Sequence, residues 1–183
     1  MTRPFFVYKR DTRIGVKFFV IFCMKHLCTI FALTLTLSNI TAQETIVALE
    51  LDTAWQKLIK TISKGDFRSF KSIYHRDAIF VNGISKKSYP INNAFEGWKQ
   101  GFDDTKSGII SAHLDVRFSQ RLYDNFSAHE TGIFHYYTIN KEGKQSDSYV
   151  HFESLWVKKN NKWLMIMEYQ KSRTDKDEWD VLR

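Results

Sequence analysis

The sequence predicts an α+β domain, with helices laid on one face of an antiparallel sheet. Three observations lead there. Apolar side chains recur every three or four residues through 46–102, the period of a helix face. From residue 111 onward the period changes to two, in segments rich in β-branched and aromatic residues. After residue 43 there is a single proline, Pro90, and neither a low-complexity linker nor an internal repeat, so one domain is the simple reading.

The elements follow in order. Val47, Leu51, Trp55, Leu58, Ile59 and Ile62 mark one face of a helix over 46–64. Gly65 tolerates positive φ and stops it. Asp66 caps a second helix that turns Phe67, Phe70, Ile73 and Tyr74 inward. A short strand runs from Ala78 to Val81, closed by the turn pair Asn82-Gly83. A third helix spans Pro90 to Phe102 with Phe95, Trp98 and Phe102 on one face, ended by Asp103-Asp104 and Gly108. Four strands follow at 111–123, 127–139, 147–159 and 162–172. Lys141 to Lys144 and Lys159 to Lys162 are their hairpin turns. The charged tail from Lys171 to Arg183 is expected to fray, with Trp179 as a possible pin.

The N-terminus reads as a leader over residues 1–43. Met24-Lys25-His26 precedes an apolar run, Leu27 to Leu37, and a polar segment with small residues ends near Ala42 and Gln43. That is the layout of a secretory signal peptide, and the run is too short for a bilayer span. Translation from Met24, a long basic n-region and an uncleaved anchor remain alternative forms of it. The expected destination is periplasmic or extracellular, with the mature domain at 44–183 and no stable membrane span after cleavage.

The leader also holds most of the positive charge. The chain has 27 Lys+Arg against 20 Asp+Glu; residues 1–43 contain six basic groups and one acid, which leaves 21 against 19, or +2. A nucleic-acid partner is therefore not expected. Cys23 and Cys28 lie in the leader too, so the mature domain has no disulfide framework. Its roughly 140 residues must stand on their own core.

The stretch from Gly65 to Asn82, including Asp77-Ala78, resembles the opening of the cone-shaped, cystatin-like fold of ketosteroid isomerases, SnoaL-like cyclases and the nuclear-transport-factor-2-like superfamily. Trp156 to Trp163, with Ser172 beyond, resembles the penultimate hairpin of SnoaL-like domains and of the calcium/calmodulin kinase association domain. The resemblance covers nearly all of 47–172. It implies a curved antiparallel sheet wrapped around three N-terminal helices, with a ligand-sized hollow inside. It also places the isomerase's catalytic positions: the general base falls on Asn82, which cannot take a proton at neutral pH, and the oxyanion-hole tyrosine on Leu58. The protonated-acid position falls on Glu153. Steroid isomerisation is therefore not expected.

A two-residue turn at Asn160-Asn161 sets Val157 against Leu164, Leu155 against Ile166, Glu153 against Glu168 and His151 against Gln170 on one face. The resemblance makes that face the concave one. The opposite face, with Trp156, Met165, Ser154, Met167, Phe152 and Tyr169, would then be convex and form a homodimer interface. Glu153, Glu168 and His151 are accordingly the candidate catalytic cluster, since facing carboxylates in a low-dielectric hollow push one pKa up. A register slipped by one residue, or a cluster on a solvated rim, are the competing readings.

Trp55, Asn82, Trp98, Phe102, Phe134 and Tyr136 are candidate ligand contacts, with plain core as the other reading of the aromatics. His113, His129 and His135 lack metal-ligand spacing, so no metal or cofactor is expected. Two functions stay open: a cofactor-free acid–base enzyme (isomerase, dehydratase or hydrolase type) on a small, partly apolar substrate, or a non-catalytic ligand-binding or dimerisation module.

Overall fold

A computed structural model of the chain describes residues 45–182; the expected leader lies outside the described residues. Helix α1 runs through 45–63, and α2 is Phe67–Lys71. Strand β1 is Tyr74–Asn82, β2 Lys87–Pro90, and helix α3 Ile91–Lys106. Strands β3 (Ile110–Tyr123), β4 (Ser127–Asn140), β5 (Gln145–Lys159) and β6 (Lys162–Thr174) follow, then a short helix α4, Lys176–Val181. The six strands form one sheet in the order β2-β1-β6-β5-β4-β3. Among the described residues no helix is long and apolar enough to cross a membrane.

The α1–α2 corner shows how the local sequence sets the path. Gly65 N–H donates to Ile62 O at 3.0 Å and Asp66 N–H to Thr61 O at 2.9 Å, the paired bonds of a Schellman stop. Gly65 has φ +63°, and a Cβ there would lie 2.5 Å from the Lys106 nitrogen at the end of α3. The Asp66 carboxylate then accepts from Ser69 N–H at 3.1 Å and caps α2. Val47, Leu51, Trp55 and Leu58 of α1 are buried, as the spacing predicts, together with Phe70, Phe95 and Phe102. Each side chain of this size contributes about 1.5–3 kcal/mol on leaving water.

The sheet departs from the expected antiparallel meander in two ways. β1 is longer than expected and pairs parallel with the last long strand, β6, while β2 pairs antiparallel on its outer edge. A parallel pair needs a long crossover, which α3 and the meander between β1 and β6 supply. The tail also differs from expectation: it forms α4, with Trp179 buried against His135 and Tyr149. Arg117 Nη1 holds it there, donating to the Trp179 and Leu182 carbonyls at 2.7 and 2.9 Å.

Bulges bend the sheet into its cup. In β3 the register shifts between Phe118 and Gln120, close to where Gly132 passes under Arg117. A Cβ on Gly132 would sit 2.1 Å from the Arg117 carbonyl oxygen. In β6 the register against β5 shifts twice, between Met165 and Met167 and between Gln170 and Ser172.

Candidate ligand cavity

A cavity of about 530 Å³ opens between the concave sheet face and the helices, within the size range of small-molecule sites. Trp55, Leu58 and Ile62 of α1, Phe70 of α2, and Trp98 and Phe102 of α3 form its helical wall. Leu114, Phe134, Tyr136, Val150 and Phe152 form its sheet wall. Gly97 and Gly101, one helical turn apart on α3, also line it, and a Cβ on either would meet no atom within 4 Å. Part of the hollow exists because these two positions carry no side chain.

The narrow end is closed by polar bonds behind the aromatic wall. The Trp55 ring packs edge-on against Phe118, Phe152 and Trp156 at 5.3–5.6 Å. Its Nε1–H donates to Glu130 Oε2 at 2.6 Å. Glu130 is fully buried, and its other oxygen accepts from Arg121 Nε at 2.7 Å; Arg121 Nη1 reaches Asp52 of α1 at 2.6 Å. This ion-pair network ties α1 to β3 and β4 across the base of the cup. Trp163 has a similar role at the hairpin: its Nε1 donates to Glu50 Oε2 at 2.9 Å, beside Lys158.

Among the described residues Glu168 is the one carboxylate on the cavity wall. Tyr74 Oη donates to Glu168 Oε2 at 2.5 Å, and Gln170 Nε2 donates to Oε1 at 2.8 Å. Burial pushes the Glu168 carboxyl above the ordinary glutamate value, and the two hydrogen bonds pull it partway back. Burial, and then the charge of Glu168, push the Tyr74 phenol well up, so Tyr74 remains the donor. Ser154 lies opposite Glu168 in the ladder and accepts from Trp156 Nε1 at 3.0 Å. Arg173 lines the cavity farther along β6, with its residue exposed to solvent.

The expected cluster of Glu153, Glu168 and His151 does not form. The hairpin begins as expected, with left-handed Asn160 and Asn161 in the turn and Val157 opposite Leu164. Trp156 opposes Met165, but Leu155 opposes Met167, so Ile166 is an extra residue in β6. Beyond it the β6 side chains change face relative to the expected ladder as far as Gln170, where the second shift restores the alternation. Glu168 thus faces Ser154 on the concave side, and Glu153 faces Tyr169 on the convex side. The faces are also the reverse of those expected: Phe152, Trp156 and Met165 are buried on the concave side.

Glu153 binds Lys171 Nζ at 2.7 Å and His129 Nε2 at 3.3 Å, and the Lys171 ammonium is the main cause of its lowered pKa. His151 Nε2 is 2.7 Å from Glu178 of α4. Trp55, Asn82, Trp98, Phe102, Phe134 and Tyr136 are all on the cavity wall. Sequence reasoning missed Tyr74 and Gln170 as the partners of Glu168, and it missed the glycine pair on α3. The glycines did leave a signal, since two in one helix interior cost about 1 kcal/mol each relative to alanine. Among the described residues no group of three His, Cys, Asp or Glu could hold a metal.

The family model of the calcium/calmodulin dependent protein kinase II association domain matches residues 47–174. The chain belongs to this family. Solved structures agree on the fold. The association domain of C. elegans CaMKII is 14% identical, with 72% of this chain and 98% of that one covered and a TM-score of 0.52. A nuclear transport factor 2-like superfamily protein from Salmonella enterica serovar Typhimurium is 11% identical, covering 73% and 95%, at 0.54. An uncharacterized protein with a cystatin-like fold from Caulobacter vibrioides is 14% identical, covering 73% and 94%, at 0.52. At these identities the likeness is one of fold. Among curated proteins none matches the chain. The association-domain chain thus has the cone architecture that its resemblance implied, with β1 and β6 as a parallel pair within it.

Proposed function

We propose that this association-domain chain is an exported domain that binds a small, partly apolar molecule in its cone. One observation carries the reading: a cavity of about 530 Å³ walled by aromatic rings, with one carboxylate among the described residues, Glu168, held by Tyr74 and Gln170. Apolar walls supply the affinity of such a site, and a few fixed polar groups orient the ligand. Saturation-transfer NMR with toluene, phenol and cyclohexanone tests it. At least one should bind the wild type and be lost in Gly101→Leu, which fills the cavity from α3. No binding at millimolar concentration, or binding indifferent to Gly101→Leu, defeats the reading. The export part rests on the leader at 1–43, and the mass of the chain recovered from outside an expressing cell checks it.

A second reading is acid–base catalysis without a cofactor. It is favoured by the raised carboxyl of Glu168 against the Tyr74 hydroxyl. Glu168 would be the proton-transferring group; Glu153 and His151 face away from the cavity and have no place in it. Deuterium uptake into cyclohexanone, catalysed by the wild type and absent with Glu168→Gln, would support it. Pairing of two copies through the convex face is the third element. There Leu155 is 36% exposed and Met167 lies opposite it. Light scattering on the wild type and Leu155→Lys measures it directly.

A further inference from the structure

The charges around the cavity do not balance locally. Neither hydrogen-bond partner of Glu168 is a cation: Tyr74 is a phenol and Gln170 an amide. Among the described residues Arg173 is the one cationic side chain on the cavity wall, and it is solvent-exposed. In the ladder Arg173 opposes Val150 and Glu168 opposes Ser154, four residues apart on β5. That is about 13 Å along a strand, beyond direct pairing. Elsewhere in the fold the carboxylates that meet a cation do so by design of position. Glu130 has Arg121, Glu153 has Lys171 and Glu50 has Lys158. Glu168 is half-buried within the cup, and among the described residues no cation pairs with it.

The rings beside Glu168 add a second observation. Tyr74, bonded to Glu168, packs at 5.3 Å against Phe70, and Phe70 packs at 5.9 Å against Trp98. All three rings line the cavity. Aromatic faces attract a cation through the ring quadrupole, most strongly when water is excluded. A carboxylate within such a set of rings has the composition of an organic-cation site.

We propose that the cavity selects amines: an apolar body carrying an ammonium group, its N–H directed at the Glu168 carboxylate and its carbon skeleton against Phe70, Tyr74 and Trp98. This rests on the reading of the cavity as a small-molecule site and names the ligand class for it. The ammonium supplies the positive charge that the wall lacks near Glu168.

Calorimetric titration with benzylamine, benzyl alcohol and benzoate, three probes of one shape and different charge, tests this on the wild-type chain and Glu168→Gln. Benzylamine should bind the wild type about tenfold more tightly than benzyl alcohol, the difference between a charged and a neutral hydrogen bond. The preference for benzylamine over benzyl alcohol should vanish in Glu168→Gln. Alcohol equal to amine, or benzoate tightest, overturns the amine proposal and leaves the cavity reading standing. Failure of all three probes removes both. If Glu168→Gln does not fold, the wild-type ratio decides, with the Trp98 indole N–H resonance reporting whether benzylamine enters the cavity.

Discussion

Tyr74 and Glu168 stand 94 residues apart in the chain, yet the tyrosine hydroxyl donates to the carboxylate at 2.5 Å inside the cup. The bond joins the strand that opens the sheet, β1, to the strand that closes it, β6. It depends on the parallel pairing of those strands and on the bulge at Ile166 that turns Glu168 inward.

The first prediction concerns pH. The folded-state pKa of Glu168 is raised above its unfolded value, so between the two the folded chain holds a proton that the unfolded chain has lost. Glu168 therefore favours folding most fully below about pH 4.3, and its contribution falls as pH rises toward the raised pKa. Urea unfolding of wild type and Glu168→Gln across pH should show the mutant gaining relative stability in that window. Tyr74→Phe, which removes a bond that lowers this pKa, should move the Glu168 carboxyl resonance to a still higher titration midpoint.

The convex-side pair should behave differently. Glu153→Gln breaks a contact with Lys171 and His129 near solvent, and should cost less than about 1 kcal/mol. His151→Ala loses its contact with Glu178 on α4. Neither should change binding of any probe that enters the cavity, a result that titration calorimetry would show directly.

Glu130 should be far less tolerant. Removing it leaves Arg121 without its buried carboxylate and the Trp55 indole without an acceptor. Glu130→Ala should cost about 3–5 kcal/mol, read as a lower urea midpoint. Tryptophan fluorescence should shift as Trp55 loses its fixed setting.

The glycines give substitutions of opposite sign. Gly101→Ala meets no atom within 4 Å and should stabilise the chain by up to about 1 kcal/mol while trimming the cavity. Gly65→Ala faces φ +63° and the Lys106 nitrogen at 2.5 Å, and should destabilise by more than 1 kcal/mol on the order expected for such strain. Thermal unfolding of the two variants side by side separates them.

Much of the architecture was already readable in the chain because it is set by near neighbours. The apolar face of α1 from Val47 to Leu58, the Gly65-Asp66 stop and cap, the change of period after Gly108 and the Asn160-Asn161 turn each involve residues within a few positions of one another. Their conformations follow from periodicity, glycine's access to positive φ and hydrogen bonds closed within a turn. The aromatic residues assigned to the cavity also fell on its wall, since large rings on the inner faces of a cup have nowhere else to go.

The face on which each carboxylate lies was settled at longer range. Alternation along β6 is a parity rule, and one extra residue at Ile166 inverts it as far as Gln170, before the second shift at Lys171 restores it. No local preference of Met165-Ile166-Met167 marks that bulge; it is the curvature of the whole sheet around α1 and α3 that demands it. The same holds for β1 against β6, a parallel pairing that exists only once the meander has brought the chain back. Residue types and their spacing thus fixed the elements and the hollow between them. The three-dimensional closure of the sheet chose Glu168, and not Glu153, as the carboxylate that looks into it.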